Sequence, residues 1–389
     1  MGELARRLRG LPRALLPLYA GTIVTRLGTF VVPYLTVYLA QERGLSLAAT
    51  GRVVAAGGAG LLLGNLLGGW SCDRVGRKPV LLIGLALNVA GLAWLAAGTD
   101  GEGWAFACAS LGAGAVPPAT SAWIADLTRG EQRQLAYTVQ YVCINVGMGL
   151  GPLLGGLLAR SSFGTLFLAD IATTVLCAGF ILAVPGGRPH EVHRTASPRI
   201  AWSPANRRTF AFACGSLLLI TPLMGLEYAV PLLVDLELGA PLLLVGVVYS
   251  INASIILSLS FGLERRLSGR DPRAMMVLAG LLWTAGLGIL AWELSVATLL
   301  CSTVVWTVGE MIASVVVPTT ITARVAPALR GRFLAVPDAM RSLASIAAPL
   351  SLGLIWDRAG VDVVLRALVT VPLLGALGYG VALQRRRRA

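Results

Sequence analysis

Three ionisable residues lie deep within apolar stretches of the sequence. Arg26 falls in the stretch that begins at Ala14, and Glu227 and Glu310 interrupt two later stretches. An ionisable side chain inside a membrane is costly unless it is paired or hydrated, so each is a functional candidate. Desolvation favours the neutral form of a carboxyl group, which suits Glu227 and Glu310 to carry protons. The alternative interpretation is a structural salt bridge between Arg26 and Glu227 or Glu310, which does not exclude a role in gating.

Aromatic residues accompany these charges. Phe30 and Tyr34 follow Arg26 at four-residue spacing, which predicts one mixed cationic and aromatic helical face. The two carboxylates each have an aromatic neighbour, Tyr228 in the first case and Trp306 one helical turn away in the second. Such pairs suit amphipathic or cationic organic ligands through stacking and cation–π contacts.

Other polar residues in or near the apolar stretches point to simpler roles. Asp338 and Arg341 are three residues apart, a spacing at which side chains of one helix can pair locally. Asp170 is expected to be structural or to lie nearer the water. The histidines, His190 and His193, fall in a polar segment, so any proton carrier is expected to be a carboxylate. The six cysteines are scattered singly, which predicts neither a metal site nor a redox pair.

A polar loop after the second apolar stretch reads Gly69-Trp-Ser-Cys-Asp73-Arg74-Val-Gly76-Arg77-Lys78-Pro79. Glycine permits close helix approach at Gly69 and a tight turn at Gly76. Asp73 lies where an anion can face the positive N-terminus of a neighbouring helix, an attraction of roughly 0.3–1 kcal/mol.

The basic residues of this loop have two interpretations. Arg77 can reach a carboxylate at another helix end, and Asp126 ends the fourth apolar stretch on the same side. Arg74 and Lys78 are explained equally well as positive charges that anchor the loop in the cytoplasm.

A glycine-rich segment occupies the fifth apolar stretch. Gly147, Gly151 and Gly155 repeat every four residues, with Pro152 and Gly156 beside them. The repeat predicts a flat stripe on which another helix packs closely. Pro152 removes one backbone donor and favours a kink.

The elements that position these residues are membrane helices. The chain of 389 residues is 56% hydrophobic and 13% charged, whereas soluble domains carry roughly 25% charged residues. Its apolar stretches approach or exceed the roughly 20 residues that cross a bilayer, where backbone groups must be satisfied within helices. We predict twelve spans, at 14–40, 47–71, 79–98, 103–126, 135–159, 163–184, 209–235, 241–263, 274–292, 295–322, 333–356 and 361–383.

The spans fall into two halves of six. A long polar break at 185–208 separates residues 1–184 from 209–389 and reads as a cytoplasmic linker. The loop glycines Gly69 and Gly76 have counterparts in Gly262 and Gly269, and the other matches between the halves occur at similar offsets. Parallel six-helix repeats around a central site are one way to build a transporter.

Basic residues set the orientation. The net charge is +13, and 24 of the 32 Lys and Arg residues fall on one side of the twelve spans, against five on the other. The positive-inside rule therefore predicts that both termini are cytoplasmic. Because the charges lie in short breaks and not on one amphipathic face, a nucleic-acid partner is excluded.

The polar loop resembles the signature loop of the major facilitator superfamily, and the duplicated halves and central linker extend the resemblance over the whole chain. The glycine-rich segment looks like the motif of drug:proton antiporters, although span 4 lacks the arginine that many of them carry. The resemblance implies an all-α membrane protein with a central cavity lined by spans 1, 4, 7 and 10. Residues implied to face this cavity are Arg26, Phe30, Tyr34, Glu227, Tyr228, Trp306 and Glu310.

The same resemblance implies a mechanism. Asp73, Arg77 and Asp126 would latch the outward-facing state shut on the cytoplasmic side. The expected function is export of drug-like or natural-product molecules across the inner membrane, driven by protons, by a monomer without a cofactor. The alternative is a symporter or uniporter that takes up a sugar, peptide or other metabolite. An enzyme is not expected, because motifs such as HExxH and GxSxG are missing from the sequence.

Overall fold

The computed structural model describes residues 10–159, 161–184, 202–267, 269–326 and 329–388, and all regular structure in these ranges is helical. Residues 185–201 of the predicted linker lie outside the described residues. The α-helices are α1 Leu15–Leu27, α2 Leu35–Gln41, α3 Leu47–Val75, α4 Arg77–Ala96, α5 Glu102–Leu127, α6 Gly130–Leu158, α7 Phe163–Ala183, α8 Pro204–Gly215, α9 Leu217–Leu232, α10 Leu243–Leu267, α11 Pro272–Trp292, α12 Val296–Arg324, α13 Arg330–Ala359 and α14 Val361–Arg388.

These helices account for the twelve predicted spans. Ten segments are long and apolar enough to cross a membrane, and α10 contributes a shorter apolar stretch, Leu243–Leu259. The 26-residue α5 supplies the remaining span. Helix α8 begins at Pro204, so the end of the predicted linker at 204–208 is helical, with Ser203 capping its first turn.

The first span is broken. Helix α1 ends at Leu27, and a 3-10 turn at Val32–Tyr34 leads into α2. Asp170 of α7 is buried at this break, where a carboxylate oxygen accepts a hydrogen bond from the Val31 amide at 3.2 Å. A helix break leaves backbone donors without partners, and this side chain satisfies one of them. The expectation that Asp170 is structural agrees with this contact.

The seventh span is also irregular. Helix α8 stops at Gly215, α9 continues from Leu217, and a π-helical turn follows at Leu233–Glu237. Pro231 lies two residues before this turn. Proline lacks an N–H and clashes with the carbonyl four residues earlier, so it perturbs the last turns of α9.

The chain divides into two compact units. Unit 1 comprises Met1–Arg43, Ala56–His193 and Pro241–Ser250, and unit 2 comprises Gly44–Ala55, Arg194–Ala240 and Ile251–Ala389. The units follow the two sequence halves, except that the first residues of α3 belong to unit 2 and those of α10 to unit 1. The boundaries predicted from the sequence, at 184 and 209, do not predict that the first residues of these two helices belong to the other unit.

Each unit has its own apolar core. In unit 1, Leu81, Trp123 and Ile181 are among the buried residues of one cluster. In unit 2, Met276 and Phe333 belong to another. These cores fix the helices that carry the polar residues described below.

Candidate functional site

Unit 2 holds a cluster of carboxylates inside its spans. Glu310 of α12 is partly exposed, and its Oε2 accepts a hydrogen bond from Nδ2 of Asn252, on α10, at 2.9 Å. The same amide nitrogen lies 3.1 Å from Oγ1 of the buried Thr307. Asn252 is therefore held by two partners of α12, and it fixes the position of the Glu310 carboxylate.

One guanidinium serves this cluster. The charge of Arg341, on α13, acts on Glu227, Glu310 and Asp338. Asp338 and Arg341, both within the described ranges, form no ion pair within 4.0 Å, so the predicted local pair is not present. Glu227 and Glu310 lie within helical spans and are partly exposed, so they are placed where a carboxylate can take up a proton or attract a cationic ligand.

Arg26 occupies the last turn of α1 in unit 1 and is partly exposed. Gly147 and Gly151 of α6 lie directly against its Cβ and backbone, and an added Cβ at Gly151 would come within 2.7 Å of the Arg26 carbonyl oxygen. Among the described residues of unit 1, no carboxylate forms an ion pair with Arg26. The predicted pairing with Glu227 or Glu310 stays a prediction.

The aromatic residues of the first span are packed against a neighbouring helix. Phe30 and Tyr34 are buried, with 6% and 0% of their surfaces exposed. Both rings pack on Gly155 of α6, and the Tyr34 hydroxyl donates to the Pro152 carbonyl. The break after Leu27 interrupts the helical spacing, so the three residues do not follow one continuous helical face, and the predicted role of the two rings in a cavity stays a prediction.

Two aromatic residues of unit 2 are also buried. Tyr228 is 1% exposed, and its hydroxyl donates to the Leu47 carbonyl at 2.7 Å. Trp306 is 5% exposed and stacks on Trp283, with 5.1 Å between ring centroids. These rings pack helices together, whereas Glu227 beside them is partly exposed. Contact of any of these residues with a transported molecule stays a prediction.

The polar loop is held by Arg77, at the start of α4. Its Nε lies 2.9 Å from a carboxylate oxygen of Asp126, at the end of α5, and Nη1 lies 3.5 Å from Asp73. Gly76 has a φ of 95°, which only glycine adopts readily, so it makes the turn between α3 and α4. The residues expected to form the latch are thus together in unit 1, and their gating role stays a prediction.

The other loop residues have separate contacts. The Arg74 guanidinium lies over the Trp70 ring, 3.7 Å from its centroid. Lys78 donates to the backbone carbonyls at the end of α7 at 2.8 Å. Gly69 lies within α3 and has space for a Cβ, whose nearest neighbour would be Pro118 at 3.9 Å. The close approach expected at Gly69 occurs instead at Gly68, where an added Cβ would lie 2.7 Å from the Ala115 Cα.

The glycine-rich segment of α6 packs on two elements. Its Gly147, Gly151 and Gly155 lie against the first span, as the four-residue repeat predicts. Gly156 faces the start of α10, where an added Cβ would come within 2.8 Å of the Leu243 Cα. The segment therefore joins three predicted spans within unit 1.

We expect Asp73→Asn to reduce transport at least roughly fivefold, the effect of a conformational coupling of about 1 kcal/mol. The Asp73 side chain is 54% exposed, so its loss leaves the Arg77–Asp126 ion pair and the fold in place. Transport in proteoliposomes and melting of the purified protein measure the two effects. Asp100→Asn is the matched control, since Asp100 is also exposed and lies 3.7 Å from Arg43. Unchanged transport in Asp73→Asn would leave Asp73 without a gating role.

Sequence reasoning missed two polar residues that the fold brings into use. Asn252 is a polar residue within span 8, a signal that was available in the sequence. Asp357, near the end of α13, accepts hydrogen bonds from two amides at the start of α3. Its partners lie about 310 positions away, and no local pattern connects them.

The part of the chain that the structure describes has no group of three or more His, Cys, Asp or Glu residues that could hold a metal ion.

The sequence and the helical fold are similar to those of known membrane transporters. The chain is 26% identical over 332 residues to the Multidrug resistance protein MdtH of Aeromonas salmonicida (strain A449), covering 80% of each protein. It is 24% identical over 376 residues to the Uncharacterized MFS-type transporter YttB of Bacillus subtilis (strain 168), covering 94% of each. A crystal structure of the nucleoside transporter NupG has the same fold, with a TM-score of 0.79 at 15% identity over 95% of this chain and 99% of that one. The family model of the Major Facilitator Superfamily matches residues 18–349, and with its helical spans and signature loop the chain belongs to that family of membrane transporters.

Proposed function

We propose that this transporter exports small cationic or amphipathic organic molecules in exchange for protons. The observation that carries the proposal is the presence of Glu227 and Glu310 within the spans of unit 2, where both side chains are partly exposed and Glu310 accepts a hydrogen bond from Asn252 at 2.9 Å. Carboxylates within membrane spans are suited to proton relay, and their negative charge attracts organic cations.

Glu310 is the main proton carrier in this proposal, with Glu227 contributing. Desolvation favours the neutral carboxyl, while a nearby cation favours the carboxylate. Arg341 supplies one such cation, and Arg26 supplies a second in any state that brings it to the carboxylates. A conformational change that alters the distance between a cation and a carboxylate changes the affinity of that carboxylate for a proton. The protein then captures a proton in one conformation and releases it in the other, since a ligand shifts a conformational equilibrium only through its differential affinity for the two conformations.

Export, not uptake, is favoured by two similarities. The glycine-rich segment of α6 resembles that of drug:proton antiporters, and the relative MdtH is named a multidrug resistance protein. We propose that the protein acts as a monomer in the inner (plasma) membrane, with both termini in the cytoplasm. The proton gradient is its energy source, and no cofactor takes part.

Everted membrane vesicles test both direction and coupling. Their outer surface is the cytoplasmic face, so an exporter in antiport with protons accumulates ethidium inside when the lumen is acid. A symporter for uptake would carry substrate out of the lumen under the same gradient. Resistance profiling of cells that express the protein extends the test to other cations and to natural products. Proton-independent movement, or accumulation only when the gradient is reversed, would contradict the proposal.

A further inference from the structure

Two helix crossings are related by the internal repeat. In unit 1, Gly246 at the start of α10 lies against the Pro152 carbonyl of α6. In unit 2, Gly51 at the start of α3 lies against the Pro349 carbonyl of α13. The two glycines and the two prolines match at offsets of 195 and 197 residues. The repeat has therefore built the same backbone contact twice.

A tyrosine belongs to each crossing. Tyr34 lies against Gly156 and donates to the Pro152 carbonyl in unit 1. Tyr228 lies against Gly353 and donates to the Leu47 carbonyl in unit 2. The tyrosines match at an offset of 194 residues. Glycine at these positions lets the helices approach closely, and the buried hydroxyl satisfies a carbonyl beside the crossing.

The unit 2 crossing carries a charged clamp from the crossing helix. The carboxylate of Asp357 accepts a hydrogen bond from the Leu47 amide at 3.0 Å and another from the Ala48 amide at 2.9 Å. Ser46 Oγ accepts from the Ala49 amide at 3.2 Å, so three successive amides at the start of α3 are satisfied. By the offset of 197 residues that relates the two prolines, the position equivalent to Asp357 is Arg160, so the sequence does not repeat this carboxylate in the other half.

The clamp is suited to open and close. A carboxylate at a helix N-terminus is stabilised by the amides and by the helix dipole. Asp357 is exposed, however, so water can replace the protein donors when the helices separate. The helix that it holds begins in unit 2 and continues into unit 1. A reversible contact at this point therefore acts on a helix that both units share.

We propose that Asp357 is a positioning residue of the transport cycle. It holds the start of α3 on the end of α13 in the conformation seen here, and it releases the start of α3 when these two helix ends separate. The proposal depends on the chain being a transporter with alternating access. It does not depend on the direction of transport or on proton coupling.

Thr50 provides a reporter for this opening. It is fully buried two residues after Ala48, and its hydroxyl has no hydrogen-bond partner among the residues that the structure describes. Thr50→Cys therefore removes no hydrogen bond and places a thiol that reagents reach only when the start of α3 separates. The six native cysteines are replaced first, and the protein is reconstituted in nanodiscs so that a methanethiosulfonate reagent reaches both faces.

We expect Asp357→Asn to raise the labelling rate of Thr50→Cys about fivefold, because the amide keeps only one acceptor oxygen for the two amides and loses the charge that the helix N-terminus attracts. Asp357→Glu should restore most of the protection, because it returns the charge and both acceptor oxygens. Asp362→Asn is the matched control, since Asp362 is exposed on the first turn of α14. Its labelling rate should equal that of the parent.

A second variant removes the donor and leaves Asp357 unchanged. Leu47→Pro deletes the amide that donates to Asp357, at a first helical position where proline is well tolerated. It should also raise labelling, and it decides the test if Asp357→Asn fails to fold. Labelling at the parent rate in a folded Asp357→Asn or Leu47→Pro protein would overturn the proposal. Increased labelling that Asp357→Glu does not reverse would also overturn it, since the charge would not be the cause.

Discussion

Glu310→Gln is expected to bind substrate and to allow its downhill movement, while losing all accumulation driven by a pH gradient. The amide resembles the protonated carboxyl in shape and charge but cannot release a proton. Its carbonyl oxygen can still accept the hydrogen bond that Asn252 donates at 2.9 Å. The substitution therefore removes titration and preserves the contact that fixes this side chain. Ethidium accumulation in vesicles, with and without a pH gradient, measures the effect.

A second carboxylate controls for the loss of charge alone. Glu293 is exposed at the end of α11, so Glu293→Gln should accumulate ethidium at the parental level. Full pH-driven accumulation by Glu310→Gln would show that Glu310 is not the proton carrier, and Glu227 and Asp338 would then be the residues to test. Loss of downhill movement as well would indicate damage to binding and not to coupling.

Gly147→Ala is expected to destabilise the protein by roughly 1–3 kcal/mol, the usual effect of overpacking a close contact. An added Cβ would clash with the Cβ of Arg26 and would lie 3.0 Å from the Leu27 backbone nitrogen. Backbone atoms cannot turn aside as the end of a flexible side chain can, so α1 and α6 must move apart. A lower melting temperature of the detergent-purified protein, together with reduced transport, measures the result.

The same substitution at another glycine provides the control. Gly179 of α7 has open space around the position of an added Cβ. Gly179→Ala should therefore leave the melting temperature unchanged or raise it, because alanine favours helix more than glycine does by roughly 1 kcal/mol. Equal melting temperatures for the two variants would contradict the close packing of α6 on the first span.

The spans and the loop could be predicted because their signals are local. A run of about 20 apolar residues has few alternatives to a membrane helix. The turn at Gly76 and the pairing of Arg77 with Asp126 follow from residues that the spans bring to the same end. Helix ends were less well placed, since α8 begins within the predicted linker.

The aromatic residues show where local reasoning failed. A four-residue spacing puts Arg26, Phe30 and Tyr34 on one face only if the helix is continuous. The break after Leu27 removes that condition, and glycines of α6 allow the two rings to be buried instead. Sequence spacing carries no information about which neighbouring helix covers a face.

The sequence by itself determined the membrane spans, their repeat and the charged residues that membrane burial makes expensive. Only the tertiary structure decided the partners of those residues. Asn252 meets Glu310 from another helix, and Asp357 meets Leu47 across 310 positions of the chain. The physical reason is that helix formation depends on nearest neighbours and on the solvent, which the sequence specifies directly. Contacts between helices depend on how the whole set packs, and that arrangement exists only once the chain has folded.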